Sequence, residues 1–357
     1  MISAGSRSFL YSLGAGCYEA AVRFLKIAFL LLGTVLLFWI IQKIGWEELL
    51  KSFQRLGWSL WLVTFLMFIP YLFFTFAWWL FLKLHDHYSI SFWTLFQIKL
   101  AGEATNAMTP LNFVGGDPLR VWFLSKNYPA SIGGASVVVD RTLNMLATIL
   151  VILVGNLAAL FQFEFSRKMY WFLVGCTVVL FLLLFLFLIF QKSGVFQKLF
   201  VLLKKIGIRH FSAVTEQKLV ELDGTLKWYY QEHRRLFYGG ILLHSVGRFF
   251  GVLEILLLGR FLGVPMNVSQ ALFFASVIPL TNVLGVFVPG TFGVLEGVVS
   301  TFFIIFHWNP ADGIVLQIAR RIRATFWILV GLLIVVLFKS EKNLPKENQV
   351  NQAKNRK

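Results

Sequence analysis

Three apolar runs without a single charge constrain this chain more than anything else. They cover residues 56–82, 142–163 and 169–191, which are 27, 22 and 23 residues long. About 20 helical residues, rising about 1.5 Å each, cross the roughly 30 Å hydrocarbon core of a bilayer. Further spans are expected around 24–42, 237–260 and 312–338. A water-soluble core cannot absorb this sequence: 58% of it is hydrophobic and only 14% charged, against about 25% charge in ordinary soluble domains. The expected class is all-α integral membrane, a polytopic bundle of about six to eight transmembrane helices. No small-residue cleavage pattern follows the first apolar segment, so it reads as a retained span.

The net charge of +16 is explained by where the cations sit. Nine Lys and Arg fall in residues 192–235 and six from Lys339 onward, against three in residues 43–57. Cations concentrate on the cytoplasmic side of membrane proteins. Both termini and the 192–235 connector are therefore expected in the cytoplasm, with the chain in the cytoplasmic (inner) membrane, and no nucleic-acid partner is needed. Residues 194–206 place apolar side chains on one face and Lys198, Lys204 and Lys205 off it, as an interfacial helix or a topology-setting connector would. Residues 43–57 read as a short surface helix on the outer side. The tail from 341 is polar and lacks aromatics, so it is expected to be disordered. Cys17 and Cys176 form neither a disulfide framework nor a zinc spacing.

Two stretches break the apolar pattern in the same way: "TNAMTPLNFVGGDPLR" (105–120) and "TNVLGVFVPGTFGVLE" (281–296). Laid together without gaps, both open Thr–Asn and end Leu–charge, with Arg120 against Glu296. Each lies between spans, and the charge-derived topology runs the two copies in opposite directions. That is an inverted-topology repeat, in which substrate sites form where broken helices meet near the midplane. The broken or re-entrant elements are expected at about 92–120 and 268–308. The corresponding segments are 1–23, a first membrane half 24–191, a connector 192–236, a second half 237–338 and a tail 339–357.

Backbone that leaves the helix at membrane depth needs protein or water around it. Gly115–Gly116 permits positive φ and close approach to a ligand, and Pro289, Gly290 and Gly293 do the same in the second copy; a ligand-free interfacial turn is the alternative. Asn106 and Asn282 mark the equivalent polar positions. Asp117, Arg120, Asp140, Arg141, Arg248, Glu254, Glu296, Arg320, Arg321 and Arg323 carry charge near membrane depth. One charge at a helix centre costs about 2.5–3.5 kcal/mol on insertion scales, so these residues are expected to pair and line one polar cavity. Snorkelling to the interface is the alternative, above all for Arg141, Arg260 and Arg323. Gly247 and Gly251 suit close helix packing with Glu254 on nearly the same face. His244 stands one turn before Arg248, and a catalytic His244–Glu254 pair is conceivable. His85–Asp86–His87 has no further ligand cluster nearby, so no metal or other cofactor is expected, and no phosphate loop or nucleophile elbow is present.

The stretch "VGGDPLRVWFLSKNYPASIGGASVVVDRTLNMLATI" (114–149) resembles the flippase-like membrane domain of lysylphosphatidylglycerol synthases and their stand-alone relatives. The carrying residues are Gly115, Gly116, Asp117 and Arg120, followed by Asp140 and Arg141. "PGTFGVLEG" resembles the family's second turn through Pro289, Gly290, Gly293, Glu296 and Gly297, with Thr291 and Leu295 departing from it. The resemblance covers about residues 24–338 and implies lipid translocation rather than synthesis, since no aminoacyl-transferase domain is expected. A flippase or scramblase moving a phospholipid or lipid-linked glycan is therefore expected, its partners being membrane lipids and a separate lipid-modifying enzyme or glycosyltransferase. An intramembrane transferase using His244 or Glu254, or an accessory subunit of an envelope polysaccharide system, are the alternatives.

Overall fold

The computed structural model describes residues 42, 46–108, 115–190, 213–284, 288 and 291–340. Almost all of the expected first span at 24–42, the stretch 194–206, Pro289, Gly290 and the tail from 341 lie outside the described residues. Among the described residues every regular element is helical. Helix α1 is Trp46–Leu56, followed by α2 (Ser59–Leu66) and α3 (Phe68–Leu82). Helices α2 and α3 form one crossing segment, jointed at Met67. Pro70 explains the joint, because its ring nitrogen cannot donate to the carbonyl one turn back. A helix hairpin follows, with α4 (Phe92–Met108) as one arm and α5 (Gly116–Leu124) as the return. Helix α6 (Ala130–Gln162) crosses the bundle and α7 (Arg167–Phe190) lies at its edge.

The second half repeats this order. After α8 (Ala213–Gln231) come the crossing helix α9 (Arg234–Phe261), a hairpin of α10 (Val268–Leu284) and α11 (Val294–Ile305), and a last long helix α12 (Pro310–Ser340). Among the described residues, four apolar segments are long enough to cross a bilayer: Ser59–Leu82, Ala130–Gln162, Arg167–Leu186 and Arg234–Phe261. Helix α12 matches them in length but carries Arg320, Arg321 and Arg323 within its first half. Large apolar side chains such as Phe161, Phe181, Leu183, Leu333 and Val336 face outward. Such a surface is stable only in a hydrocarbon solvent. The chain is thus a multi-pass membrane protein.

The packing shows the inverted repeat. Helices α3 and α9 lie against each other. Phe81 meets Gly240, and Phe74 meets Gly247. Rising numbers on α3 thus meet falling numbers going back along α9, so the helices are antiparallel. Each hairpin's first arm packs on the other half's last helix: α4 on α12 and α10 on α6. Gly331 of α12 meets the Leu100 carbonyl of α4, and Gly155 of α6 meets the Leu272 carbonyl of α10. Gly155 and Gly331 stand 176 positions apart, as do Asn106 and Asn282.

The hairpins enter from opposite ends. At one end, Tyr88 and Tyr128, which flank the first hairpin, pack together with tilted rings, and His85 bonds Tyr229. At the other, Phe163 packs on Phe306 beside the second hairpin. There Arg55 of α1 donates to the Leu262 carbonyl and to Asp312 at 2.7 Å each. Asn309 donates to Glu48 of α1.

Candidate functional site: a charged cavity between two hairpins

A cavity of about 270 Å³ lies at mid-height in the bundle, between the first arms of the two hairpins. Its charged lining is Lys99 and Glu103 from α4, Asp140 from α6, Arg248 and Glu254 from α9, and Arg320 and Arg323 from α12. Tyr71, Asn144 and Thr148 add polar atoms. Pro279 of α10 cannot donate to the Ala275 carbonyl one turn back, and both residues line the cavity. Ligand pockets commonly measure roughly 300–1,000 Å³, so this space is near the lower end of that range and suits a small polar group.

The first half holds one tight charge network. Lys99 Nζ donates to both Asp140 oxygens at 2.6 and 2.8 Å, and all these atoms are buried. Arg120, fully buried, donates to Glu103 at 2.6 Å and to the Lys99 carbonyl at 3.3 Å. It also reaches Asp140 at 3.4 Å. Arg141 Nε donates to both oxygens of Asp117 at 2.9 and 2.8 Å. Glycine makes this geometry possible. A Cβ on Gly102 would lie 2.2 Å from Arg120 Nε, and one on Gly116 would lie 1.9 Å from the Gly102 carbonyl. Gly116 N–H donates to Asn106 Oδ1 at 2.7 Å, which closes the hairpin.

The second half exchanges the signs. Glu254, 1% exposed, faces Arg320 at 3.4 Å and Arg323 at 2.9 Å. Glu296 receives Arg321 Nε at 2.5 Å on one oxygen and Gly293 N–H at 2.9 Å on the other. Glu296 thus caps α11 while binding α12, a carboxylate at the third position of a helix reaching back to its cap residue. Gly293 has φ +76 and Thr291 φ +50. Thr291 Oγ1 donates to Asn282 Oδ1 at 3.0 Å, the counterpart of Asn106 in the first hairpin. Arg321 also lies over the Phe292 ring at 4.0 Å.

Of the residues singled out from sequence, Asp140, Gly247, Arg248, Gly251, Glu254, Arg320 and Arg323 line the cavity itself. Asn106, Gly116, Asp117, Arg120 and Arg141 build the first hairpin and its anchoring, and Asn282, Gly293, Glu296 and Arg321 the second. Arg120 and Glu296 do not meet; each pairs within its own half. Several expectations need correction. Gly115 has φ −93, so the Gly–Gly step serves close approach at Gly116 and not positive φ. The pairing expected of Arg141 and Arg323 is present, with Asp117 and Glu254, and the snorkelling alternative does not hold for them. Gly247 packs on Phe74, but nothing lies near Gly251, which opens onto the cavity instead. His244 faces Asp140 at 3.3 Å and not Glu254. His85 donates to or accepts from Tyr229 at 2.9 Å, and burial followed by nearby His233 holds its imidazole below the ordinary value.

Sequence reasoning missed Lys99, Glu103, Tyr71 and Asn144. The signal for the first two was present: in "KLAGE" they stand four apart, one helical turn, inside the first broken element. Tyr71 and Asn144 sit in ordinary apolar helix and carry no such mark.

The comparisons agree with this architecture. A "UPF0104 membrane protein" of Methanothermobacter thermautotrophicus is 22% identical over 254 residues, covering 67% of this chain and 72% of that protein. No solved structure matches. Residues 24–332 match the family described as "Lysylphosphatidylglycerol synthase TM region". The match takes in both hairpins, all the cavity-lining charges and the helices that carry them, and the chain belongs to the lysylphosphatidylglycerol synthase transmembrane-region family.

Proposed function

We propose that this protein moves a phosphate-bearing lipid, a phospholipid or a lipid-linked glycan, between the leaflets of the cytoplasmic membrane, with its headgroup passing through the central cavity. The observation that carries this reading is a surplus of cations. Lys99, Arg120, Arg141, Arg248, Arg320, Arg321 and Arg323 make seven cations, against five carboxylates in Glu103, Asp117, Asp140, Glu254 and Glu296. Arg248 is the cavity cation whose recorded side-chain bond is neutral, to Asn144 Oδ1 at 2.7 Å. Arg320 and Arg323 share the single carboxylate of Glu254. Buried guanidinium groups with spare donors bind phosphate strongly and with defined geometry.

The energetic task is to bring a charged headgroup through hydrocarbon, where a bare charge is expensive. A cavity already lined with fixed charges replaces part of the lost hydration without moving the acyl chains out of lipid. The termini and the 192–235 connector face the cytoplasm in this reading, because the Lys and Arg concentrate there. A separate lipid-modifying enzyme or glycosyltransferase would supply the substrate.

The test is translocation in vesicles containing the purified protein and a headgroup-labelled fluorescent lipid, read with an impermeant quencher. Anionic lipid should become accessible from the inner leaflet faster than in empty vesicles. Arg248→Ala should slow it roughly ten- to hundredfold, the loss of about 1.5–3 kcal/mol for a bond to a charged group. Equal protection of the label with and without protein, across anionic and glycan lipids, would refute the reading. A chemically altered lipid recovered from the vesicles would favour an intramembrane transferase.

A further inference from the structure

His244 is the buried titratable group that the charge network leaves incomplete. Its side chain is fully buried on α9 and stacks on Phe74 of α3 with ring centroids 5.0 Å apart. Nδ1 lies 3.1 Å from the Gly240 carbonyl. A carbonyl only accepts, so Nδ1 carries a proton. Nε2 then faces a second acceptor, Asp140 Oδ1 at 3.3 Å, and has no hydrogen-bond partner. In the neutral ring two lone pairs confront each other there. One added proton on Nε2 turns that contact into an ion pair with the carboxylate.

The groups around this contact decide what that proton does. Asp140 also receives Lys99 from α4, at 2.6 Å, and Arg120 from α5, at 3.4 Å. Glu103 of α4 holds Arg120. Arg248, one turn along α9, is directed to Asn144 of α6. From α8, Tyr230 turns its hydroxyl to Thr142 of α6 at 3.4 Å, and Tyr71 of α3 lines the cavity below Phe74. The carboxylate of Asp140 is thus shared among Lys99, Arg120 and His244. A charged His244 competes with Lys99 for Oδ1, and Lys99 is the partner that lines the cavity.

We infer that His244 and Asp140 form a proton-binding site that loads together with the anionic headgroup, Lys99 being released toward the cavity as the proton arrives. The inference rests on the headgroup reading above. The proton comes from cavity water by way of Asp140, which lines the cavity, and ends on the Nε2 lone pair. No bond other than N–H forms, and the site gains one positive charge. Two ligands that each favour the other's bound state are coupled reciprocally. The proton tightens headgroup binding, and the headgroup tightens proton binding. A proton gradient could then drive the lipid with no nucleotide.

Two measurements on the detergent-solubilised full chain test this. The first is nitrogen NMR of histidine-labelled protein, with the His244 signal assigned by its loss in His244→Gln and His244→Asn. The ring should pass from singly to doubly protonated as the pH falls across roughly 8 to 5, the range in which imidazoles switch. A ring that stays neutral, or stays charged, throughout that range overturns the inference. The second is proton uptake in weak buffer on adding short-chain phosphatidylglycerol, with short-chain phosphatidylcholine as control. Uptake should approach one proton per bound lipid, and affinity should rise by at most tenfold per pH unit, the limit for one linked proton. In His244→Gln both effects should vanish. Lipid binding without proton uptake overturns the coupling and leaves the headgroup site standing. No lipid binding at any pH overturns the headgroup reading and the coupling with it.

Discussion

Gly155 and Gly331 give the most direct test that the two halves interlock in the same way. An added Cβ would lie 2.4 Å from the Leu272 carbonyl at Gly155, and 2.5 Å from the Leu100 carbonyl at Gly331. Ordinary contact begins near 3.4 Å, so each alanine is about 1 Å too close. The obstacle in each case is helix backbone, which has no rotamer to escape into. Helix α6 must part from α10, or α12 from α4, by about that distance. Overpacking of this kind costs about 1–3 kcal/mol. The substitution also gains about 0.8–1 kcal/mol of helix propensity, so the control must share that gain. Gly175, inside α7 with nothing within 4 Å of an added Cβ, supplies it. We expect Gly155→Ala and Gly331→Ala each to fall below Gly175→Ala by about 1–3 kcal/mol. At about 2–4 °C per kcal/mol, this is a drop of several degrees in the temperature at which the protein in detergent loses its monodisperse peak. The two losses should add in the double variant, since the sites share no partner. Alanines as stable as the Gly175 control would refute the close approach. One destabilising alanine without the other would refute the shared packing of the two halves.

Two further predictions follow from charge placement. Arg321→Gln should lower heat stability more than Glu296→Gln, because it strands a carboxylate that is 1% exposed, whereas Arg321 is a quarter exposed and can reach water; equal losses in a melting comparison would remove the asymmetry. In a cysteine-free background, Glu164→Cys, in the α6–α7 loop, should react with an impermeant thiol reagent added to intact cells, while Ser193→Cys and Asn351→Cys should not; the reverse pattern would invert the proposed topology.

The fold was legible in the sequence wherever it depended on apolar length and on punctuation. The charge-free runs at 56–82, 142–163 and 169–191 became crossing helices within a few residues at each end, apart from the added first turns of α6. The exception, residues 130–141, begins with Ser131, Gly133 and Gly134 and carries Asp140 and Arg141. The charge-free run alone starts the helix after Arg141, and the buried pairs of Asp140 and Arg141 show why it begins earlier. The charged couples were visible as a set, but their pairing was not. Sequence order places Arg120 opposite Glu296 in the repeat, which invites the idea that they meet. Pairing is a matter of which helices are neighbours, and the return arm of each hairpin lies against the helix that follows it in its own half. Lys99 and Glu103 escaped because an opposite-charge pair one turn apart on a helix is usually a solvated surface pair. Here the same spacing turns both toward the cavity.

The opposite signs of Arg120 and Glu296 follow from what each hairpin must be fastened to. In both halves the return arm carries one buried charge at the same repeat position, and in both that charge reaches the helix that follows, although Arg120 is held more tightly by Glu103 of its own hairpin. In the first half, Arg120 reaches Asp140 of α6; in the second, Glu296 reaches Arg321 of α12. The fastening is preserved while the polarity is exchanged. The exchange also has an electrostatic result that a faithful repeat would lack. Charges balance along the joint of the first hairpin with α6, where Asp117, Glu103 and Asp140 hold Lys99, Arg120 and Arg141. Cations outnumber carboxylates on α12, where Arg320, Arg321 and Arg323 share Glu254 and Glu296. The two faces of the cavity therefore differ in net charge, balanced on one side and cationic on the other, although their backbones are related by the repeat. Under the proposed function, a phosphate entering the cavity would be drawn to the α9–α12 side, through Arg248 and Arg320. The Lys99–Asp140–His244 group opposite can add positive charge only when a proton arrives. A symmetric scaffold thus carries an asymmetric charge distribution, and under the proposed headgroup reading the α9–α12 face would be the one that holds an anionic group.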